Sequence, residues 1–280
     1  MFALRFIPMR AIGALALSWL LAAAGLGALA SLGGCATSQG ALGEQDLRTA
    51  SDDSDARKRA RNRLALSANY YQDGKYTIAL DEMKKAIQLD PAFSEPYALG
   101  GLIYMALNNL PQAQAYNEKA LSLNPRDAGA MHNMGMLKCR QKDYGAATAW
   151  FQRAIAEPEY PSTGKAKSWL MQGACEISSG DRAKAEQSLM HSFQLDPGNP
   201  ATEYNLAKLL LERGDLEHAQ FYIRRLNNTD RANAESLWLG IKVERRLKNT
   251  QAVDQLALQL RRRFPESSQL ISYERGAFDD

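Results

Sequence analysis

Between Ser94 and Asp127 the apolar positions follow helical steps. Tyr97, Gly100, Gly101 and Tyr104 fall on one face, at steps of three, one and three. After a break at Asn108-Asn109, a second stretch sets Ala113 and Ala120 seven residues apart, and Pro125 closes it. This spacing predicts a helix-turn-helix unit of 34 residues. Sliding the register upstream by one unit brings Tyr70, Gly74, Ala79, Ala86 and Pro91 onto the same positions. Sliding it downstream brings Gly135, Tyr144, Ala147 and Ala154, and a longer step then recovers Trp169, Gly173, Gly180, Ala185 and Pro197. Two further steps give Ala207, Gly214 and Ala219, then Gly240 and Ala252. Repeats therefore begin near residues 60, 94, 128, 166, 200 and 233.

Two columns of small residues run through this register. Ala79, Ala113, Ala147, Ala185, Ala219 and Ala252 form one, and Ser67, Gly101, Gly135, Gly173, Ala207 and Gly240 form the other. Helices approach closely only where side chains are small, so the columns mark where the two helices of each hairpin cross. A hairpin of this length with this pattern resembles the tetratricopeptide repeat. The implied fold is all-α, a right-handed superhelix of about six such repeats. Leu226 and Gln259 stand where earlier repeats have alanine, and such irregular terminal repeats suit the end of a stack.

The first residues break the pattern. Arg5 and Arg10 precede an uncharged stretch from Ala11 to Ala30, followed by Leu32-Gly33-Gly34-Cys35. A cleaved signal peptide and an uncleaved membrane anchor both fit the apolar run. The tetrad resembles a bacterial lipobox, which favours a lipoprotein signal peptide over residues 1–34 and acylation of Cys35. Several acyl chains hold a protein stably where one does not. Ala36 at the next position, in place of aspartate, points to the outer membrane and its periplasmic face. Residues 35–56 have no aromatic residue and no sustained apolar period, so they read as a flexible tether. A chain of that kind spans roughly 25 Å root-mean-square. The repeat domain occupies residues 57–280.

Charge excludes one class of partner. Lys and Arg number 34 against 31 Asp and Glu, a formal +3. Removing Arg5 and Arg10 with the leader leaves 32 against 31, or +1, so net charge offers no case for nucleic-acid binding. The basic run Arg57, Lys58, Arg59, Arg61 and Arg63 and the trio Arg261 to Arg263 read as solvated helix faces.

Chemistry is scarce. His132, His191 and His218 lie far apart, with no acidic or cysteine partner at ligand spacing, so no metal is expected. Ser162-Thr163-Gly164-Lys165 has the end of a phosphate loop, but Glu159 stands where its first glycine belongs. No cofactor, small-molecule substrate or catalytic residue is expected, and the chain reads as a binding protein. An export route permits disulfides, and Cys139 and Cys175 lie on neighbouring first helices. Their offset within the repeat argues against a close Cα approach, so two packed thiols are expected.

In tetratricopeptide repeats the first helix of each hairpin lines the concave face. Carried onto this register, the resemblance implies a partner-binding groove of Leu64, Tyr71, Ala98, Leu102, Met105, His132, Met136, Leu170 and Ile177. Ala68, Cys139, Ala174, Tyr204, Lys208, Leu211, Leu237 and Ile241 extend it. Few of these are charged, which suits an apolar extended or helical segment.

A narrower resemblance covers Arg59 to about Tyr273. Arg63-Leu64-Ala65-Leu66, Tyr70-Tyr71-Gln72, the Pro158-Glu159-Tyr160-Pro161 insertion, Leu237-Trp238-Leu239-Gly240 with Glu244-Arg245, and Arg263-Phe264-Pro265-Glu266-Ser267 carry it. On these motifs the chain resembles the type IV pilus biogenesis and stability lipoproteins PilF and PilW, the pilotins. That resemblance implies a lipid-anchored outer-membrane scaffold that binds secretin subunits and promotes their localisation and multimerisation. The alternatives are a periplasmic adaptor docking cell-wall enzymes and a tight-adherence pilus assembly lipoprotein.

Overall fold

A hairpin needs a sharp reversal between its helices, and all six turns use one device. Gly74, Asn108, Lys142, Gly180, Gly214 and Lys248 occupy the same turn position, each with φ between 57° and 87°. Glycine takes this left-handed conformation freely, asparagine tolerates it, and lysine holds it at a cost. The residue after the turn then caps the second helix. Asn109, Asp143, Asp181, Asp215 and Asn249 each accept a bond from a backbone N–H of the first turn through a side-chain oxygen. Only the first hairpin places Lys75 there, which makes no side-chain cap.

The computed structural model describes residues 53–278, which form thirteen α-helices. The hairpins are α1 (Asp55–Gln72) with α2 (Tyr76–Leu89), α3 (Ser94–Ala106) with α4 (Leu110–Leu123), and α5 (Ala128–Arg140) with α6 (Tyr144–Ala156). They continue as α7 (Ser162–Ser179) with α8 (Arg182–Leu195), α9 (Pro200–Arg213) with α10 (Leu216–Asn227), and α11 (Ala234–Arg246) with α12 (Thr250–Arg263). A short α13 (Ser268–Glu274) follows. The apolar leader, Cys35 and most of the tether lie outside the described residues.

Each hairpin packs most extensively within itself, and each first helix also touches the first helix of the next hairpin. The helix crossings explain the small columns. Ala79, Ala113, Ala147, Ala185 and Ala219 are fully buried, while Ala252, on the outermost hairpin, is half-buried. The glycines make room for the side chain one turn beyond the alanine. A Cβ on Gly135 would meet the Phe151 ring at 2.6 Å, one on Gly101 the Asn117 amide at 2.3 Å, and one on Gly173 the Leu189 side chain at 2.8 Å.

The insertion after α6 serves packing. It leads directly into α7, which has 18 residues against 13 in α5. Tyr160 lies flat on Gly164, where a Cβ would come within 2.4 Å of the ring. Gly164 therefore seats a tyrosine.

One expectation is corrected. Cys139 and Cys175 form a disulfide with Cα atoms 5.8 Å apart, within the usual bridging range. Their offset is the register of the stack itself. His132 and Ser168, which hydrogen-bond across the same two helices, are also separated by 36 residues, as the cysteines are. The basic residues near the start of α1 lie on a largely exposed face, as expected, and three of them are also paired. Arg57 pairs with Asp90 and lies 4.4 Å from the Phe93 ring centre, Arg61 pairs with Asp53, and Arg63 reaches Glu82 at 2.9 Å. Of the later trio, Arg261 faces Glu274 and Arg263 donates to the Ala232 carbonyl.

Candidate binding face on the first helices

The face expected to meet a partner is built on α1, α3, α5 and α7. Leu64 sits half-buried against Ala60, Ala86 and Phe93. Tyr71 lies half-buried near the first turn, tilted against Tyr76 at 5.7 Å, and burial raises its phenol above the ordinary value. Leu102 and Met136 both pack, half-exposed, against the cluster of Met105, Ala113, Met134 and Leu137. Leu170 and Ile177 lie half-buried on the large leucine cluster that includes Leu206 and Leu210. An apolar side chain that is anchored yet still partly open can receive a second apolar surface without first being ordered.

Ala98 and Met105 sit deeper, at 8% and 5% exposed. Their backbone carbonyls tie neighbouring first helices together. The Ala98 carbonyl accepts from the Asn133 amide at 2.9 Å, and the Met105 carbonyl accepts from the Arg140 guanidinium at 2.5 Å. Arg140 thus adds a second bond to a carbonyl at the end of α3 that already accepts from the Asn108 amide. Arg246 likewise donates to the Leu211 carbonyl at the end of α9, at 3.1 Å, beside the Gly214 amide.

His132 is turned into the joint between α5 and α7. One ring nitrogen lies 2.8 Å from the Ser168 hydroxyl, which reaches Tyr160 at 3.4 Å, and Phe151 meets the ring edge-on. Burial, with a smaller contribution from Lys167, pushes its pKa down to about 4. The imidazole is therefore neutral at ordinary pH and acts as a packing group. With the Cys139–Cys175 bridge on the same helix pair, it fixes how repeats three and four sit against each other.

Toward the other end the face changes. Leu237 and Ile241, expected on it, are fully buried. They belong to the terminal cluster with Leu260 and Leu270, where α13 covers α11. Trp238 and Lys242 take their place. With Tyr204, Lys208, Leu211, Glu212, Glu235, Leu239 and Gln269 they surround a pocket of about 350 Å³ between α9 and α11. The sequence carried a signal for it in a tryptophan and a lysine four residues apart, one helical step beyond the register used.

Among the described residues, no three His, Cys, Asp or Glu side chains are grouped to hold a metal ion, and no helix is long and apolar enough to cross a membrane. Buried carboxylates are committed to packing. Glu244, 1% exposed, accepts from Arg224, Gln220 and Asn249, and Glu203 accepts from Arg225. Glu176 bonds Gln172 and Ser188.

Tetratricopeptide repeat models match residues 95–127, 128–156 and 176–238. With the paired helices, they make this chain a tetratricopeptide-repeat scaffold, of a kind that works by contact and not by catalysis. It is related to the PilF and PilW type IV pilus assembly proteins. The type IV pilus assembly protein PilF of Pseudomonas aeruginosa is 25% identical over 244 residues, which are 87% of this chain and 93% of that protein. The solved structure of Pseudomonas aeruginosa PilF covers 80% of this chain and 100% of its own, with a TM-score of 0.67 and 22% identity. That of PilW, described as a widely conserved type IV pilus biogenesis factor, covers 76% of this chain and 97% of its own, with a TM-score of 0.65 and 28% identity.

Proposed function

We propose that this protein is a pilotin. In this reading Cys35 is acylated, residues 35–56 tether the domain at the periplasmic face of the outer membrane, and the apolar face of α1, α3, α5 and α7 binds secretin subunits and promotes their multimerisation. The observation that carries it is the likeness to a type IV pilus assembly protein over nearly the whole of both chains. The half-open leucine, methionine and tyrosine side chains support an apolar segment as ligand. Acylation raises the local concentration of captured subunits at the membrane, so assembly proceeds without any chemical step.

Anchored side chains and open ones call for different substitutions. Met105→Glu would place a charge in a buried cluster and unfold the chain before it tested binding. Leu102→Glu with Leu170→Glu changes half-exposed positions instead. In cells carrying this pair, secretin multimers resolved by gel should fall at least tenfold while the variant's helical circular dichroism is unchanged. Multimers at normal yield contradict the assigned face. Cys35→Ser should release the protein from membranes, and retention there contradicts the anchor.

A further inference from the structure

The segment after α13 folds back onto the last hairpin. Gly276 adopts φ +69°, in the left-handed region, and the Ala277 amide donates to the Ser272 carbonyl at 2.9 Å. This reversal brings the Phe278 ring to 5.2 Å from Trp238 and to 6.1 Å from Tyr273, edge-on to the latter. The Arg245 guanidinium covers the Phe278 ring at 3.8 Å, a cation held against the ring's electron-rich face. Phe278 is thus enclosed by two aromatic rings and a cation. Trp238 also lines the pocket between α9 and α11, and the Lys242 ammonium lies 5.3 Å from its ring. Trp238 is thus shared between Phe278 and that pocket.

The charges agree with the occupant. Arg245 and Lys242 lie at the site, and in sequence Asp279 and Asp280 follow Phe278 directly. We propose that Trp238, Tyr273 and Arg245 form a docking site for an aromatic side chain within an acidic segment, and that Phe278 is its resident occupant. A single ring in such a box binds weakly on its own. Attachment a few residues away supplies the effective concentration that keeps the site filled. A partner segment of the same chemistry competes for the place. This holds whether or not the partner on α1 to α7 is a secretin.

The test uses two opened proteins, the chain ending at Arg275 and the full chain carrying Phe278→Ala. The probe is a fluorescein-labelled peptide of residues 274–280, Glu-Arg-Gly-Ala-Phe-Asp-Asp. By fluorescence anisotropy, with protein titrated to roughly millimolar, both opened proteins should bind the peptide at least tenfold more tightly than the unaltered chain. A peptide with alanine in place of its phenylalanine should not bind, and Trp238→Ala in the chain ending at Arg275 should abolish binding. Equal binding by opened and unaltered proteins overturns the proposal, as does no binding by either opened protein. If both opened proteins lose their cooperative helical melt, the segment is a structural cap and the proposal also falls.

Discussion

The joint between repeats three and four and the joint between repeats five and six solve one packing problem in different ways. At the first, α5 and α7 are bridged by Cys139–Cys175 and keyed by His132, Ser168 and Tyr160, and the apolar clusters nearby are small. At the second, a continuous cluster that includes Leu206, Leu210, Leu239 and Val243 holds the helices together. The first-helix surfaces differ in step. Leu102, Met136 and Leu170 give the first region an apolar surface, whereas Lys208, Glu212, Glu235 and Lys242 give the second a charged pocket. Apolar recognition rewards fixed spacing, because every misplaced contact is lost outright. A bridge and a locked histidine supply that spacing where packing volume is limited.

The largest effect should come from cutting the bridge. Cys139→Ser with Cys175→Ser releases a loop closed over 36 residues, which should cost about 4 kcal/mol in urea unfolding. Dithiothreitol should lower the stability of the unaltered chain comparably and leave the double variant unmoved.

The next should appear on acidification. His132 has its pKa lowered from 6.5 to about 4, so the unfolded chain takes up a proton more readily than the folded one. The stability of the neutral, buried form is fully present above pH 6.5 and is lost as the pH falls toward 4, about 3 kcal/mol in all. His132→Gln should flatten the unfolding free energy over that window, and an unchanged slope would assign it to other groups.

Smaller effects compare the hairpins. Gly135→Ala drives a methyl group into the Phe151 ring and should cost about 2 kcal/mol. Substitution of Lys142 by glycine relieves the left-handed turn that Gly180 and Gly214 adopt without strain, and should raise stability by about 1 kcal/mol. A thermal melt of each, set beside the parent, gives the sign directly.

The periodic parts of this architecture are legible in sequence because one local geometry is repeated six times. The alanine and glycine columns, the turn positions and the hairpin boundaries all follow from helix geometry. What was hidden depends on how the hairpins stagger. The cysteine offset is an obstacle only in a level stack, whereas here Cys139 and His132 each meet a residue 36 positions later. Leu237 and Ile241 are absent from the expected face because α13, a short helix outside the period, covers them. The arginines of α1 found partners in Asp53, Glu82 and Asp90, which no spacing within one helix reveals. Tyr160 belongs to the insertion, where the period has no counterpart.

The most direct test of the binding face is calorimetric titration of the purified secretin subunit into three proteins: the unaltered chain, Leu102→Glu with Leu170→Glu, and Lys208→Glu. Affinity should fall at least tenfold for the double variant and stay within twofold of the parent for Lys208→Glu. Equal affinity for all three, or a loss confined to Lys208→Glu, contradicts an apolar face on the first four repeats.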